Sequence, residues 1–483
     1  MIREEKKMEH KNYILVVAAI YLLVLLGIGF WAKRRAKKVN DYLVAGRKLG
    51  LLMTACTIAA VQIGSGVVVG GATTGADSGV WPGMYYALGC GLGCIFSGLF
   101  IAAKMRAAEA VVPMDYFELR YGNKKLVRAW AWFSNVPSML GIFVAQLLAC
   151  GSILSAFGIP FWLGVVVCAG VILIYSSMGG MWSVVVGDTV QVIIMMVGVP
   201  VAAITALVAL TKAGVSPFEA VYVTPFIPSG MFTKFIYMIS PMLVSIAVSY
   251  DAFLRYQSSK DWQTAKWGCV WGGVITIVIG TLASTVGAAG RILFPNVGSD
   301  GIFAYTVGEI LGPVMGAIVI TAVLAAAMSS GNCLLLSMGA SFSKDLYNKV
   351  LHPDSKLEDL PHSKSIATWT IIIASILGVL ITFKLTNILD AIILFNYPYM
   401  GSVIIPLYCA VLSKGATPKG CYAGMITGAI VGIICFLAGL GIFGFNADMG
   451  LFAAYVVSGV TIAAFSARDK NKFPMVQQDQ HVA

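Results

Sequence analysis

Ala326, Ser329 and Ser330 stand at i, i+3 and i+4 in the apolar run TAVLAAAMSSGNCLLLSMGASFSKDLY, so on a helix they share one face. One carbonyl and two hydroxyls converging there suit a hard, singly charged cation such as Na⁺. Further oxygens would come from backbone carbonyls freed where a neighbouring helix unwinds. Serines that only hydrogen-bond to their own helix give the same pattern. Asp188, in GDTVQVIIMMVG, is the clearest acid in an apolar run. An acid there is costly and marks either a functional site or a helix N-terminus near the interface. His10, His352, His362 and His481 all fall in tails or loops, which leaves no histidine proton relay.

The elements that position these residues must be membrane helices. Of 483 residues, 58% are hydrophobic and 11% charged, too few charged groups to clothe a water-facing surface. Soluble enzymes, disordered chains and disulfide scaffolds are excluded on that count. Runs of about 20 apolar residues can cross a hydrocarbon core of roughly 30 Å. They fall near 12–32, 52–73, 80–103, 131–156, 160–178, 184–211, 232–249, 265–293, 313–341, 366–384, 387–412, 417–439 and 447–467, about thirteen spans. With the N-terminus outside, 25 of the 33 basic residues lie on the cytoplasmic side, as does the C-terminus. The net charge of +11 is thus a topology signal and not a nucleic-acid patch. The ten cysteines lie in or beside apolar runs without CxxC spacing and read as buried packers. The stretch 343–365 is expected to hold a short cytoplasmic helix before Pro353. The tail after residue 468 is too short for a kinase, ATPase or nucleotide-binding domain.

Gly64-Ser65-Gly66, followed by Gly70-Gly71, lies inside an apolar run and predicts local unwinding. Ser240-Pro241 predicts a second break. The two open successive groups of five spans, a pointer to a transporter built from inverted repeats.

Three segments, DYLVAGRKLG (41–50), YSSMGGMWSVVVGDTVQ (175–191) and AAAMSSGNCLLLSMGASFSKDLY (325–347), resemble those of the sodium:solute symporter family, with ELRYG (118–122) in support. The resemblance runs in order along nearly the whole chain. It implies an all-α polytopic fold of the LeuT-like type, two inverted five-helix repeats with flanking helices. The parts would be 1–51 (tail, first span, basic loop), 52–211 and 212–412 (the repeats), 413–467 (two further spans) and 468–483 (cytoplasmic tail). It also implies a plasma-membrane symporter for sodium and a small organic solute, an amino acid or carboxylate such as proline or pantothenate, with no covalent chemistry. The sodium ligands would be the carbonyls of Ala60, Ile63 and Ala326 and the hydroxyls of Ser329 and Ser330. Asp188 would serve a second sodium or an exit route, although Asn332 and Cys333 stand where hydroxyls of a second site are expected. Solute contacts would come from Gln62, Ser65, Gly66, Gln146, Ser245, Ser249, Tyr250, Asn396, Tyr397 and Tyr399.

Other classes fit less well. A proton-coupled permease or channel on the same scaffold lacks buried His and Lys. Gly187-Asp188 and Tyr250-Asp251 resemble the paired acids of intramembrane aspartyl proteases, but Val185 replaces the first glycine of GxGD and the motif order is reversed.

Overall fold

The computed structural model describes scattered positions between 13 and 27, then 45–469 apart from 111, 123, 177–179, 223, 224, 356–359, 361, 386 and 447, and finally 473–476. The expected first span, 12–32, therefore lies largely outside the described residues, as do the first four residues of DYLVAGRKLG. Among those described, every regular element is helical. The first half holds α1 (Leu51–Ile63), α2 (Ser65–Ser78), α3 (Val80–Ala107), α4 (Pro113–Tyr121), α5 (Lys125–Ser155), α6 (Phe161–Ser176) and α7 (Gly180–Lys212). Then follow α8 (Phe232–Ser245), α9 (Tyr250–Gln257), α10 (Trp262–Leu293), α11 (Ile302–Ile310) and α12 (Gly312–Leu351). The chain closes with α13 (Ser363–Thr382), α14 (Ile388–Leu412), α15 (Pro418–Gly439) and α16 (Gly450–Arg468).

Ten of these helical stretches are long and apolar enough to cross a bilayer, with α8 and α9 together forming one of them. The bent pair α1–α2 makes eleven, and α6 is apolar but shorter. All twelve predicted runs from residue 52 onward coincide with helices. Both interior breaks exist, one where expected and one displaced. The axis turns by 53° between α1 and α2, and the hinge is Gly64, with φ −57° and ψ −136°.

The second break corrects the expectation at Ser240-Pro241. Pro241 lies inside the uninterrupted α8, and the chain leaves the helix at Ile246–Ser249 instead. A lone proline removes one donor and bends a helix; a true interruption at membrane depth requires new donors for the freed carbonyls. Three tyrosines supply them. Tyr408 donates to Val244 O at 2.8 Å, Tyr256 to Ala247 O at 2.7 Å and Tyr399 to Val248 O at 2.8 Å.

A second correction concerns the short helix expected before Pro353. Residues 342–351 continue α12 without a gap, so one helix runs from Gly312 to Leu351. α1, α7, α9 and α12 all contact one another or a shared neighbour, and α10 crosses the bundle against α1, α2 and α3. All ten cysteines are free, and nine are buried. No cluster of three potential metal-binding side chains occurs among the described residues.

Candidate functional site

The break at Gly64 leaves the last four carbonyls of α1 (Ala60, Val61, Gln62 and Ile63) without partners in their own helix. Ser330, on α12, brings its hydroxyl oxygen to 3.5 Å from Ala60 O, longer than such a hydrogen bond prefers. On the other side of the hinge, Ser65 N–H donates to Gln146 Oε1 of α5 at 3.1 Å. A Cβ on residue 64 would lie 2.9 Å from Gln146 Oε1 and 3.2 Å from Ser330 Oγ, so a side chain there would push both away. Gly66 is equally confined, since its Cβ would meet the Tyr86 ring at 2.5 Å and Ile392 at 2.9 Å. Ser65 Oγ is buried without a partner, and Gln62 is half-buried.

Asp188 does not cap a helix. α7 begins at Gly180, which places the carboxylate two turns inside and fully buried. Both its oxygens are engaged. Ser329 donates to Oδ1 at 2.6 Å, and Thr57 of α1 donates to Oδ2 at 2.6 Å. Arg255 of α9, also fully buried, pairs with Oδ2 at 3.2 Å through Nη2 and at 3.3 Å through Nε. Its Nε also donates to Thr57 Oγ1 at 3.0 Å, and its Nη1 donates to Asp251 O at 3.2 Å and Cys333 Sγ at 3.0 Å. Two charges far from water persist only when hydrogen bonds satisfy them as fully as here.

Arg255 was not legible as a site residue because 250–264 reads as a loop between spans, and Thr57 because a lone hydroxyl in an apolar run commonly bonds its own helix. The available signal was the apolar company of Arg255, namely Ala252, Phe253, Leu254 and Tyr256.

The remaining expected solute contacts separate. Tyr399 lies 6.5 Å from Tyr250, ring to ring, at the second break, where Ser249 Oγ donates to Ile246 O at 3.3 Å and Ser245 is buried. The Tyr250 hydroxyl is committed elsewhere, donating to Asp345 Oδ2 at 2.5 Å. Both ends of the Asn396 amide are taken within the protein, by Ser138 and by Ile392 O. Tyr397 packs against α15 and α16, its carbonyl beside Gly432 and its ring beside Gly450. Neighbouring protein thus engages the Tyr250 hydroxyl and the Asn396 amide and packs against Tyr397.

An ionic cluster closes one end of the bundle. Arg128, at the start of α5, donates to Asp345 at 2.6 Å, Asp115 at 2.9 Å and Glu118 at 2.5 Å. Lys344 and Lys349 of α12 reach Asp115 and Glu118, each at 2.7 Å. Burial raises the Asp115 pKa, but Lys344 and Arg128 outweigh it and hold the carboxyl well below the usual range. The cluster ties α4 and α5 to the end of α12, and through Tyr250 to α9.

Residues 42–428 match the family model described as the sodium:solute symporter family. The chain is 28% identical over 463 residues to a sodium/pantothenate symporter of Haemophilus influenzae, covering 90% of this chain and 92% of that one. It is 23% identical over 446 residues to a sodium/proline symporter of Staphylococcus aureus, covering 88% and 85%. In fold it is similar to a Na⁺-coupled sialic acid symporter in a substrate-bound outward-open state, with a TM-score of 0.76 and 18% identity over 96% of this chain and 99% of that one. Mhp1, a nucleobase-cation-symport-1 family transporter in a closed conformation, aligns with a TM-score of 0.55 and 15% identity over 90% and 95%. The architecture is thus LeuT-like, an all-helical transporter fold of inverted repeats and not an enzyme. With an interrupted helix, a paired-serine helix and a family match that spans both, the chain belongs to the sodium:solute symporter family and is a multi-pass, sodium-coupled secondary transporter.

Proposed function

We propose that the protein takes up a small organic carboxylate together with one sodium ion, both bound at the interruption around Gly64. The carrying observation is that one break presents two opposite helix ends. The orphan carbonyls of α1 form a partial negative pole and the N–H groups of α2 a partial positive one. Sodium sits on the first, held by the carbonyls of Ala60, Ile63 and Ala326 and the hydroxyls of Ser329 and Ser330. The 3.5 Å gap between Ser330 Oγ and Ala60 O supports a shared atom between them. Ser329 donates its proton to Asp188 and keeps lone pairs for the ion.

The solute carboxylate lies on the second pole, against Gly66 N–H and the unpartnered Ser65 hydroxyl. Gln146 fixes the hinge, Gln62 lines the approach, and Ser245 and Ser249 face the solute from the second break. Pantothenate, proline and sialic acid, for which the relatives are named, each carry one carboxylate. Ion and solute each favour the conformation that the other fits, which couples uptake to the sodium gradient by linkage.

Asp188 serves as the partner of Arg255 instead of a second sodium ligand, and Asn332 and Cys333 add no hydroxyl there. Arg255, Thr57 and Ser329 already engage both oxygens of Asp188, which supports a structural role for it over a coupling one. The matched breaks support repeats over 52–211 and 212–412. The basic-residue asymmetry supports a plasma-membrane orientation with the N-terminus outside and the C-terminus cytoplasmic.

The test is a panel of carboxylates and their uncharged amides in proteoliposomes with an imposed sodium gradient. A carboxylate should accumulate, and collapsing the sodium gradient should abolish uptake while a protonophore does not. Equal accumulation of acid and amide would overturn the assignment of the second pole.

A further inference from the structure

A groove of about 450 Å³ opens between α1, α7 and α10, within the range of small-ligand sites, roughly 300–1,000 Å³. Its walls are wholly apolar, including Leu51, Leu52, Met196, Pro200, Trp271 and Val278. Two features of the sequence make it. Gly268 and Gly272 let α10 approach α1 closely, since Cβ atoms there would fall 2.5 Å from Thr54 Cγ2 and 2.7 Å from Ile58 Cγ2. Trp271, Val274 and Val278 then stand beside the contact as a raised rim, while Pro200 interrupts the hydrogen bonding of α7 opposite. The lining is far from buried, with Leu52 66% and Trp271 53% exposed. These helices cross a bilayer, so the phase outside the groove is hydrocarbon.

The head of the groove is basic. An isolated bridge joins the entries of α1 and α10, with Leu49 N–H donating to Ser258 O at 3.1 Å and Lys260 N–H to Leu49 O at 3.0 Å. It gathers Arg47, Lys48, Arg106 and Lys260 at one corner, with Arg106 donating to Ser259 O at 2.8 Å and Lys260 O at 3.1 Å. The acids there are Glu109, paired with Arg47 at 3.2 Å, and Asp261, whose Oδ1 caps Thr264 N–H at 2.7 Å. Lys48 is exposed, and Lys260 is 3.9 Å from Asp261. Cations therefore outnumber acids where apolar walls meet the membrane surface, the arrangement that holds an anionic headgroup.

We infer that this groove binds one anionic phospholipid, its acyl chain between α1, α7 and α10 and its phosphate at Lys48 and Lys260. A polar solute would lose its hydrogen bonds against such walls, and a neutral lipid would leave the basic corner unused. Because α1 carries the hinge at Gly64, the bound lipid braces the helix that must move.

The test is native mass spectrometry of the full-length protein released from detergent after incubation with equal amounts of phosphatidylglycerol and phosphatidylcholine. One phosphatidylglycerol should be retained at least fivefold over phosphatidylcholine. Val278→Trp, which fills the groove, and the double variant Lys48→Gln/Lys260→Gln should each lower that retention at least fivefold. Ile430→Trp on the lipid-facing side of α15 should not. Equal retention of the two lipids by the unmodified protein, full retention by Val278→Trp, or a lipid-free mass of two chains would each overturn the inference.

Discussion

Asp188 of α7 and Arg255 of α9 form an ion pair at 3.2 Å with both side chains removed from solvent, although 67 residues separate them. The pair joins the helix after the second break to the helix that contacts α1 and α12. Thr57 and Ser329 extend it to both elements that flank the proposed sodium. The fold thus ties the two helices that flank the proposed sodium to one internal charge pair.

Removing one partner leaves the other charge buried and alone, a change that costs about 3–5 kcal/mol. Asp188→Asn and Arg255→Gln should each lower the thermal unfolding temperature and the yield of folded protein. The double variant should recover most of the loss. Thermal melts of the three purified variants decide this, and a double variant no better than the singles would disprove the pairing.

The occupied state of Asp188 bears on stoichiometry. Uptake plotted against sodium concentration should give a Hill coefficient near one, with one charge moved per neutral solute and none per monoanion. A coefficient close to two, or two charges per neutral solute, would require a second ion and release Asp188 from its structural role.

Ser330 is expected to give one of the five oxygens around sodium. Losing a contact of about 1 kcal/mol shifts an equilibrium roughly fivefold. Ser330→Ala should raise the sodium concentration for half-maximal uptake by roughly that factor or more, while Ser330→Thr, which keeps the hydroxyl, should change it less. Unchanged sodium dependence in the alanine variant would reject the site.

Gln146 holds the start of α2 through Ser65 N–H. Replacing it with Leu leaves a buried donor unsatisfied at a cost of about 1–3 kcal/mol. Apparent solute affinity should fall by roughly 5–150-fold, with a smaller change in sodium dependence. Gly64→Ala should impair both, because its Cβ would press on Gln146 and Ser330 together.

The Arg128 cluster closes one end of the bundle at neutral pH. The carboxyl of Asp115 titrates below its unfolded value, so it stabilises the closed end above the ordinary carboxylate range, and that contribution is lost as pH falls through its own lowered pKa. Arg128→Ala removes the cation that bridges Asp345, Asp115 and Glu118, and leaves Asp345 without its ion pair. A cysteine placed at Val127 should react faster with a membrane-impermeant thiol reagent in that background than in the Arg128 protein. Equal rates at pH 7 would show that the cluster does not gate access.

The sequence by itself determined the class, the placing of the apolar helices from residue 52 onward and the interruption at Gly64. Each depends on local composition: an apolar run of sufficient length must become a helix in a bilayer, and a run dense in glycine is its weakest point. What lay out of reach was set by contacts between distant segments. The second break falls at Ile246 and not at Pro241, because Tyr256, Tyr399 and Tyr408 supply donors there. Asp188 is a paired internal charge and not a cap, because α9 brings Arg255 to it across the bundle. Tyr250 and Asn396 have the chemistry of solute contacts, and packing gives each of them protein partners. A buried polar group takes whichever partner the packing provides, and only the tertiary structure decides which one that is.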